Sequence, residues 1–360
     1  MSANAKRHCI VVGAGVIGAS VAYHLAQAGC RVTLIDRNGP GGVASPCSFG
    51  WTNASHRNPR DYFNLRVAAM RLWDDLAACY SDIPYRRSGA LYLDAARVDL
   101  DAFYAQHSQW DYRLQWIDSD DIRRLEPLLA VVPERGLLAP GEGAAEADDA
   151  ARFFAGLCAD HDDCKVVRAG ATGLMVEGGR VVGVTTDQNR IAADEVVLAA
   201  GAETANLAAQ AGVRVAMSTS PGLLIHTRPW RQRISHLILA EAVHFRQRSD
   251  GAFVAGADFG GGEINDDPER GSEELLIEIR AQLHGGDDIA LGGYSVGYRP
   301  MPGDGFPIAA RPGTVDGLYV AVMHSGATLA PAIGAMAARE IVDGERDPLL
   351  GPFGLDRFQS

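Results

Sequence analysis

Three features of the sequence predict an α/β chain, with a Rossmann-like dinucleotide-binding domain joined to a discontinuous α+β domain built on an antiparallel sheet. Gly13, Gly15 and Gly18 stand at GxGxxG spacing between a predicted strand and a predicted helix. The apolar run Glu195 to Leu198 ends in Ala199-Ala200-Gly201, and two segments of shifted composition are interposed, the second rich in strand and turn signals. With about 150 residues to a domain, 360 residues accommodate two cores. The expected boundaries are 1–84, 145–215 and 298–360 for the nucleotide-binding domain, and 85–144 and 216–297 for the second.

The opening is the most specific stretch. His8 to Val12 reads as a strand, Val16 to Ala28 as a helix, and Arg31 to Ile35 as a second strand ending at Asp36. In that order, glycines permit a tight turn and close backbone approach, the helix N-terminus faces a pyrophosphate, and the acid meets a ribose hydroxyl. FAD and NAD are both compatible with this unit. A small-residue loop follows from Gly39 to Gly50. Asn58-Pro59 then predicts a helix start, and Leu65, Ala69, Leu72, Trp73 and Leu76 recur on one face of that helix. A short strand at Ala90 to Leu93 sits among short polar helices. A helix from Asp148 to Ala159, a strand at Val166 to Arg168 and a hairpin at Glu177-Gly178-Gly179 lead to the Glu195 strand. The segment Pro221 to Gly297 reads as a strand-rich insertion with a turn at Ser249-Asp250-Gly251. The tail predicts a loop from Tyr298 to Arg311, a strand from Leu318 to Val322, a turn at His324 to Ala327 and a helix from Thr328 to Val342.

Composition narrows the function. The chain holds 33 Lys+Arg against 45 Asp+Glu, a net charge of −12, which argues against nucleic acid as a partner. Six dilute cysteines without a CxxC pair point to a reducing, cytoplasmic setting rather than a disulfide framework or a metal site. Lys6-Arg7 ahead of an apolar run resembles a secretory leader, but the glycine pattern and the strand that follows argue against one. No stretch is apolar enough to span a bilayer.

The segments VVGAGVIG, EVVLAAG, GYRPMPGDGFPI (297–308) and YVAVMHSGATLAPAIG (319–334) together resemble the FAD-dependent D-amino-acid oxidase superfamily, over nearly the whole chain. That superfamily includes glycine oxidase, sarcosine oxidase and D-amino-acid dehydrogenase. The resemblance implies noncovalent FAD: Gly13, Gly15, Val16, Ile17 and Gly18 would line its pyrophosphate and Asp36 with Arg37 its ribose. Ala44 and Ser45 would meet the pyrophosphate and flavin, Ala171 the adenine, and Ala200 and Gly201 the same cleft. Gly326, Ala327, Thr328 and Leu329 would aim a helix N-terminus at the flavin, where reduction places negative charge.

Arg299 is the expected substrate residue, because its planar fork matches a carboxylate; a structural arginine bridging loop carbonyls is the plainer alternative. His324 would lie near the flavin as an acid/base or a positive charge, or serve only as a turn hydrogen-bonder. Asn53, with Gly50, stands where sarcosine-oxidising relatives carry basic residues. Trp51, Tyr92, Tyr294 and Tyr298 could form an aromatic wall. The implied activity is oxidation of the CH–NH bond of an amino acid or related secondary or cyclic amine, by hydride transfer to the flavin, with oxygen or another acceptor taking the electrons. Two alternatives stay open: a flavin-binding subunit of a multi-component dehydrogenase, and a biosynthetic amine desaturase that retains its imine.

Overall fold

The computed structural model describes residues 6–358 apart from 56–57, 95–97 and 258–266. One part is a six-stranded sheet, in the order Ile308–Ala310, Leu318–Val322, Glu195–Leu198, His8–Val12, Arg31–Asp36 and Cys164–Arg168. All neighbours are parallel except Ile308–Ala310, which closes one edge antiparallel. The central strands are buried on both faces, which explains their unbroken apolar runs. Among the described residues the helices are α1 (Val16–Gln27), α2 (Arg60–Cys79), α3 (Leu100–Ser108), α4 (Ser119–Leu125), α5 (Ala147–Ala159), α6 (Thr204–Ala209), α7 (Pro268–Ala281) and α8 (Gly326–Asp343). Helices α1, α2, α5 and α8 share one core on one side of this sheet. Helices α1 and α8 approach so closely that a Cβ on Gly334 would stand 2.3 Å from Ser20 Oγ.

The second sheet has eight strands, in the order Leu291–Pro302, Met217–Thr227, Phe253–Gly256, His244–Gln247, Leu237–Leu239, Ala90–Tyr92, Arg135–Ala139 and Gln115–Asp118. It is antiparallel except where Leu237–Leu239 runs parallel to Ala90–Tyr92. A small sheet couples the two parts: Gly143–Ala145 pairs with both Trp51–Thr52 and Tyr85–Arg86. A part-buried ion pair adds to the coupling, since Arg246 donates to both oxygens of Glu146 at 2.6 and 2.9 Å and to Phe49 O.

Several sequence expectations shift. Residues 298–302, expected as loop, continue the strand Leu291–Pro302, with Ser220 opposite Arg299 and Gly222 opposite Gly297. Pro300 and Pro302 read as breakers, but this strand lies at the sheet edge, where a missing N–H costs no ladder bond. Pro59, not Asn58, occupies the N-cap of α2. Glu146 precedes α5, and Asp148 lies in its first turn, paired with Arg152 at 2.5 Å. Helix α8 starts two residues earlier than expected, at Gly326.

Candidate functional site

The two distant glycine turns meet. A Cβ on Gly326, at the start of α8, would stand 3.3 Å from Val16 Cγ1 and 3.4 Å from Ile17 Cγ1, at the start of α1. Between and beyond these turns runs a cavity of about 410 Å³, within the usual range for cofactor pockets. Gly13, with φ of 101°, turns the chain where any side chain would strike Ala199 O at 2.3 Å. Gly13, Gly15, Val16, Ile17, Asp36, Arg37, Ala44, Ser45, Ala171, Ala200, Gly201, His324, Gly326 and Ala327 all line the cavity. Asp36 is fixed there by its own backbone surroundings: Oδ2 accepts from Ala14 N at 2.9 Å and Oδ1 from Asn38 N at 2.8 Å.

Besides Arg299, four expected residues lie off that wall. Gly18 serves packing, since a Cβ there would sit 1.9 Å from Gly13 O. Leu329 is fully buried, and its N–H closes the first turn of α8 on Ser325 O. Thr328 is buried, and its hydroxyl donates to Trp51 O at 3.1 Å. Asn53 is also buried; its amide oxygen accepts from Arg66 at 2.9 Å, and its N–H reaches Thr328 Oγ1 at 3.4 Å.

Arg299 points away from the cavity wall that Tyr298 and Pro300 line. It looks inward from the sheet face that carries Leu224 and Tyr92 and packs on Phe49 and Trp51. Its guanidinium lies flat over Gly222, close enough that a Cβ there would meet Nη2 at 2.1 Å and Cζ at 2.6 Å. Arg299 nonetheless acts on His324: burial first, then the charges of Arg299 and Arg66, push the imidazole down to about 4. Burial and these two cations thus favour the neutral imidazole over the positive charge considered for it.

Sequence reasoning missed two buried groups. Arg66, on α2, is 6% exposed and bonds Asn53 and the first turn of α8. Glu142 is fully buried behind Trp51, accepting from Trp51 Nε1 at 2.8 Å, Tyr112 OH at 2.6 Å and Tyr92 OH at 3.0 Å. Burial pushes its carboxyl up against these donors. Both are single polar residues inside otherwise ordinary segments, so no local pattern signals them. Of the expected aromatic wall, Trp51 and Tyr92 pack together at 5.9 Å with Tyr92 tied to Glu142, Tyr298 borders the cavity at 60% exposure, and Tyr294 is exposed. Among the described residues no group of His, Cys, Asp or Glu is arranged to hold a metal ion.

Comparison with known proteins bears on the family and the fold. A family model described as FAD dependent oxidoreductase (DAO) matches residues 8–340. The oxidoreductase YurR of Bacillus subtilis (strain 168) is 29% identical, over 96% of this chain and 97% of its own length. Glycine oxidase of Bacillus licheniformis is 27% identical, over 92% of each chain. The crystal structure of glycine oxidase from Geobacillus kaustophilus superposes with a TM-score of 0.86 at 22% identity, covering 97% of this chain and 99% of that one. Among the described residues no helix is long and apolar enough to cross a membrane.

Proposed function

Because this chain belongs to the FAD-dependent oxidoreductase (DAO) family, we propose that it oxidises the CH–NH bond of an amino acid, or of a related secondary or cyclic amine, to an imine. FAD is held noncovalently along the cavity by Gly13, Gly15, Asp36, Ala44, Ser45 and the start of α8. The observation that carries this reading is Arg299, a guanidinium seated on a glycine at the sheet face and acting on His324 at the cavity wall.

When bound, FAD supplies the hydride acceptor; the protein's contribution is to position and to shape the field. Arg299 holds the substrate carboxylate through two parallel N–H bonds and so fixes the α-carbon in one orientation. His324, kept neutral, accepts a hydrogen bond without retaining the ammonium proton, so the substrate reacts as the free amine and its proton leaves to water. Trp51, braced by Glu142, walls the space beside the α8 start. All six cysteines are free, which favours a cytoplasmic setting and noncovalent flavin.

Anaerobic addition of D- and L-amino acids, N-methyl amino acids and cyclic imino acids to the purified chain tests the proposal. At least one carboxylated amine bleaches the flavin spectrum of the single chain. A flavin-loaded chain that no member of the panel reduces overturns it.

A further inference from the structure

Arg66 is a buried cation with an unusual set of partners. Its Nε donates to Asn53 O at 2.8 Å, Nη2 to Asn53 Oδ1 at 2.9 Å and Thr328 Oγ1 at 3.5 Å, and Nη1 to Ser325 Oγ at 2.7 Å and Tyr62 OH at 3.1 Å. Every acceptor is an uncharged oxygen, and among the described residues Arg66 makes no ion pair with a carboxylate. A buried charge ordinarily requires an opposite partner. Here the position makes that need greater. Ser325 and Thr328 belong to the N-terminus of α8, which already carries the positive end of the helix dipole. Two positive sources thus sit together, Arg66 being almost fully buried, beside the cavity wall formed by His324, Gly326 and Ala327.

We infer that Arg66, clamped by Asn53, sets the reduction potential of the bound flavin. Its missing anion is the negative charge the flavin acquires on reduction, felt across the first turn of α8. Arg66 touches neither substrate nor the cavity wall, so it is a positioning residue for charge. Asn53, which stands where sarcosine-oxidising relatives carry basic residues, is the residue that keeps this cation unneutralised: its neutral amide oxygen occupies the place where a carboxylate would form an ion pair. The inference rests on the flavin seating proposed above, whose failure shows separately as a wild-type chain with no flavin spectrum.

The test is Asn53→Asp in the FAD-loaded protein. This change is nearly isosteric and supplies Arg66 with a carboxylate at the position of the present 2.9 Å bond. Equilibration with a reference dye should show a more negative flavin potential, by at least tenfold in the two-electron equilibrium, or about 30 mV. Arg66→Gln should move the potential in the same direction, and Arg66→Lys, which keeps the charge, should return it toward wild type. Titration of the apo chains with oxidised and with reduced FAD covers any variant that holds flavin poorly. The proposal requires that reduced FAD lose more affinity than oxidised FAD. An unshifted potential in Asn53→Asp, or equal weakening of both redox forms, overturns it and leaves Arg66 a purely structural brace.

Discussion

Gly222 is where the substrate reading can be pressed hardest, because the structure gives both the perturbation and its size. In Gly222→Ala the new methyl would lie 2.1 Å from Arg299 Nη2, whereas ordinary contact begins near 3.4 Å. The guanidinium must therefore move by the difference, about 1.3 Å. The clash is with the far end of a flexible side chain, so the protein accommodates it by displacing Arg299 and not by deforming the sheet. Stability should change little. Binding should not be spared, since a shift of that size breaks at least one of two charge-assisted hydrogen bonds to a carboxylate, worth about 1.5–3 kcal/mol. That corresponds to a KM raised roughly 10- to 150-fold for carboxylated substrates. Because the same pair orients the α-carbon, kcat/KM should fall by at least this factor, with part of the loss appearing in kcat. Arg299→Ala should cost more, about 2–5 kcal/mol. Steady-state kinetics on an amino acid and on the matching amine without its carboxylate read the effect, and only the former should respond. A wild-type KM in Gly222→Ala alongside an impaired Arg299→Ala would refute the seat; wild-type behaviour in both would refute the anchor.

Other consequences are simpler to measure. Glu146→Gln breaks the bidentate pair with Arg246 and should cost about 3–5 kcal/mol, seen as a lowered Tm with easier loss of flavin, since Arg246 also holds Phe49 O. Burial raises the Glu146 carboxyl, but the Arg246 hydrogen bonds and charge, with Arg248 behind them, outweigh it and hold it below its ordinary value. Its stabilisation is thus present above the unfolded value of 4.5 and lost as pH falls through the folded one. The histidines work in the same direction by a different route: burial depresses His8, His24, His107, His226 and His324. The unfolded chain takes up those protons first, so denaturant midpoints should fall as pH drops from about 6.5 toward 4. A midpoint that is flat across that window contradicts the buried neutral imidazoles. The kcat/KM profile should climb toward the pKa of the substrate amine without a limb near pH 6.5; such a limb, absent in His324→Gln, would show that His324 titrates in the reaction.

What the sequence revealed, and what it hid, follows from how far apart the interacting residues are. The turn at Gly13 to Gly18 and the acid at 36 are neighbours along the chain, so their spacing alone predicts the contacts that the structure shows. The strand carrying Arg299 was obscured because Pro300 and Pro302 forbid an interior strand but not an edge one, and edge position is a property of the whole sheet. Gly222 looks like any strand glycine until the distant Arg299 is laid across it. Arg66 is harder still, since its role depends on residues 53, 62, 325 and 328 arriving together. Composition points the wrong way here: a net charge of −12 suggests an acidic molecule, yet Arg66, Arg299 and the start of α8 converge from three separate segments around one neutral histidine. Screening limits surface acids to about 8 Å at physiological ionic strength, while charges within the fold are screened much less. Within the fold, therefore, burial together with the charges of Arg299 and Arg66 governs the protonation of His324, whatever the charge of the outer surface.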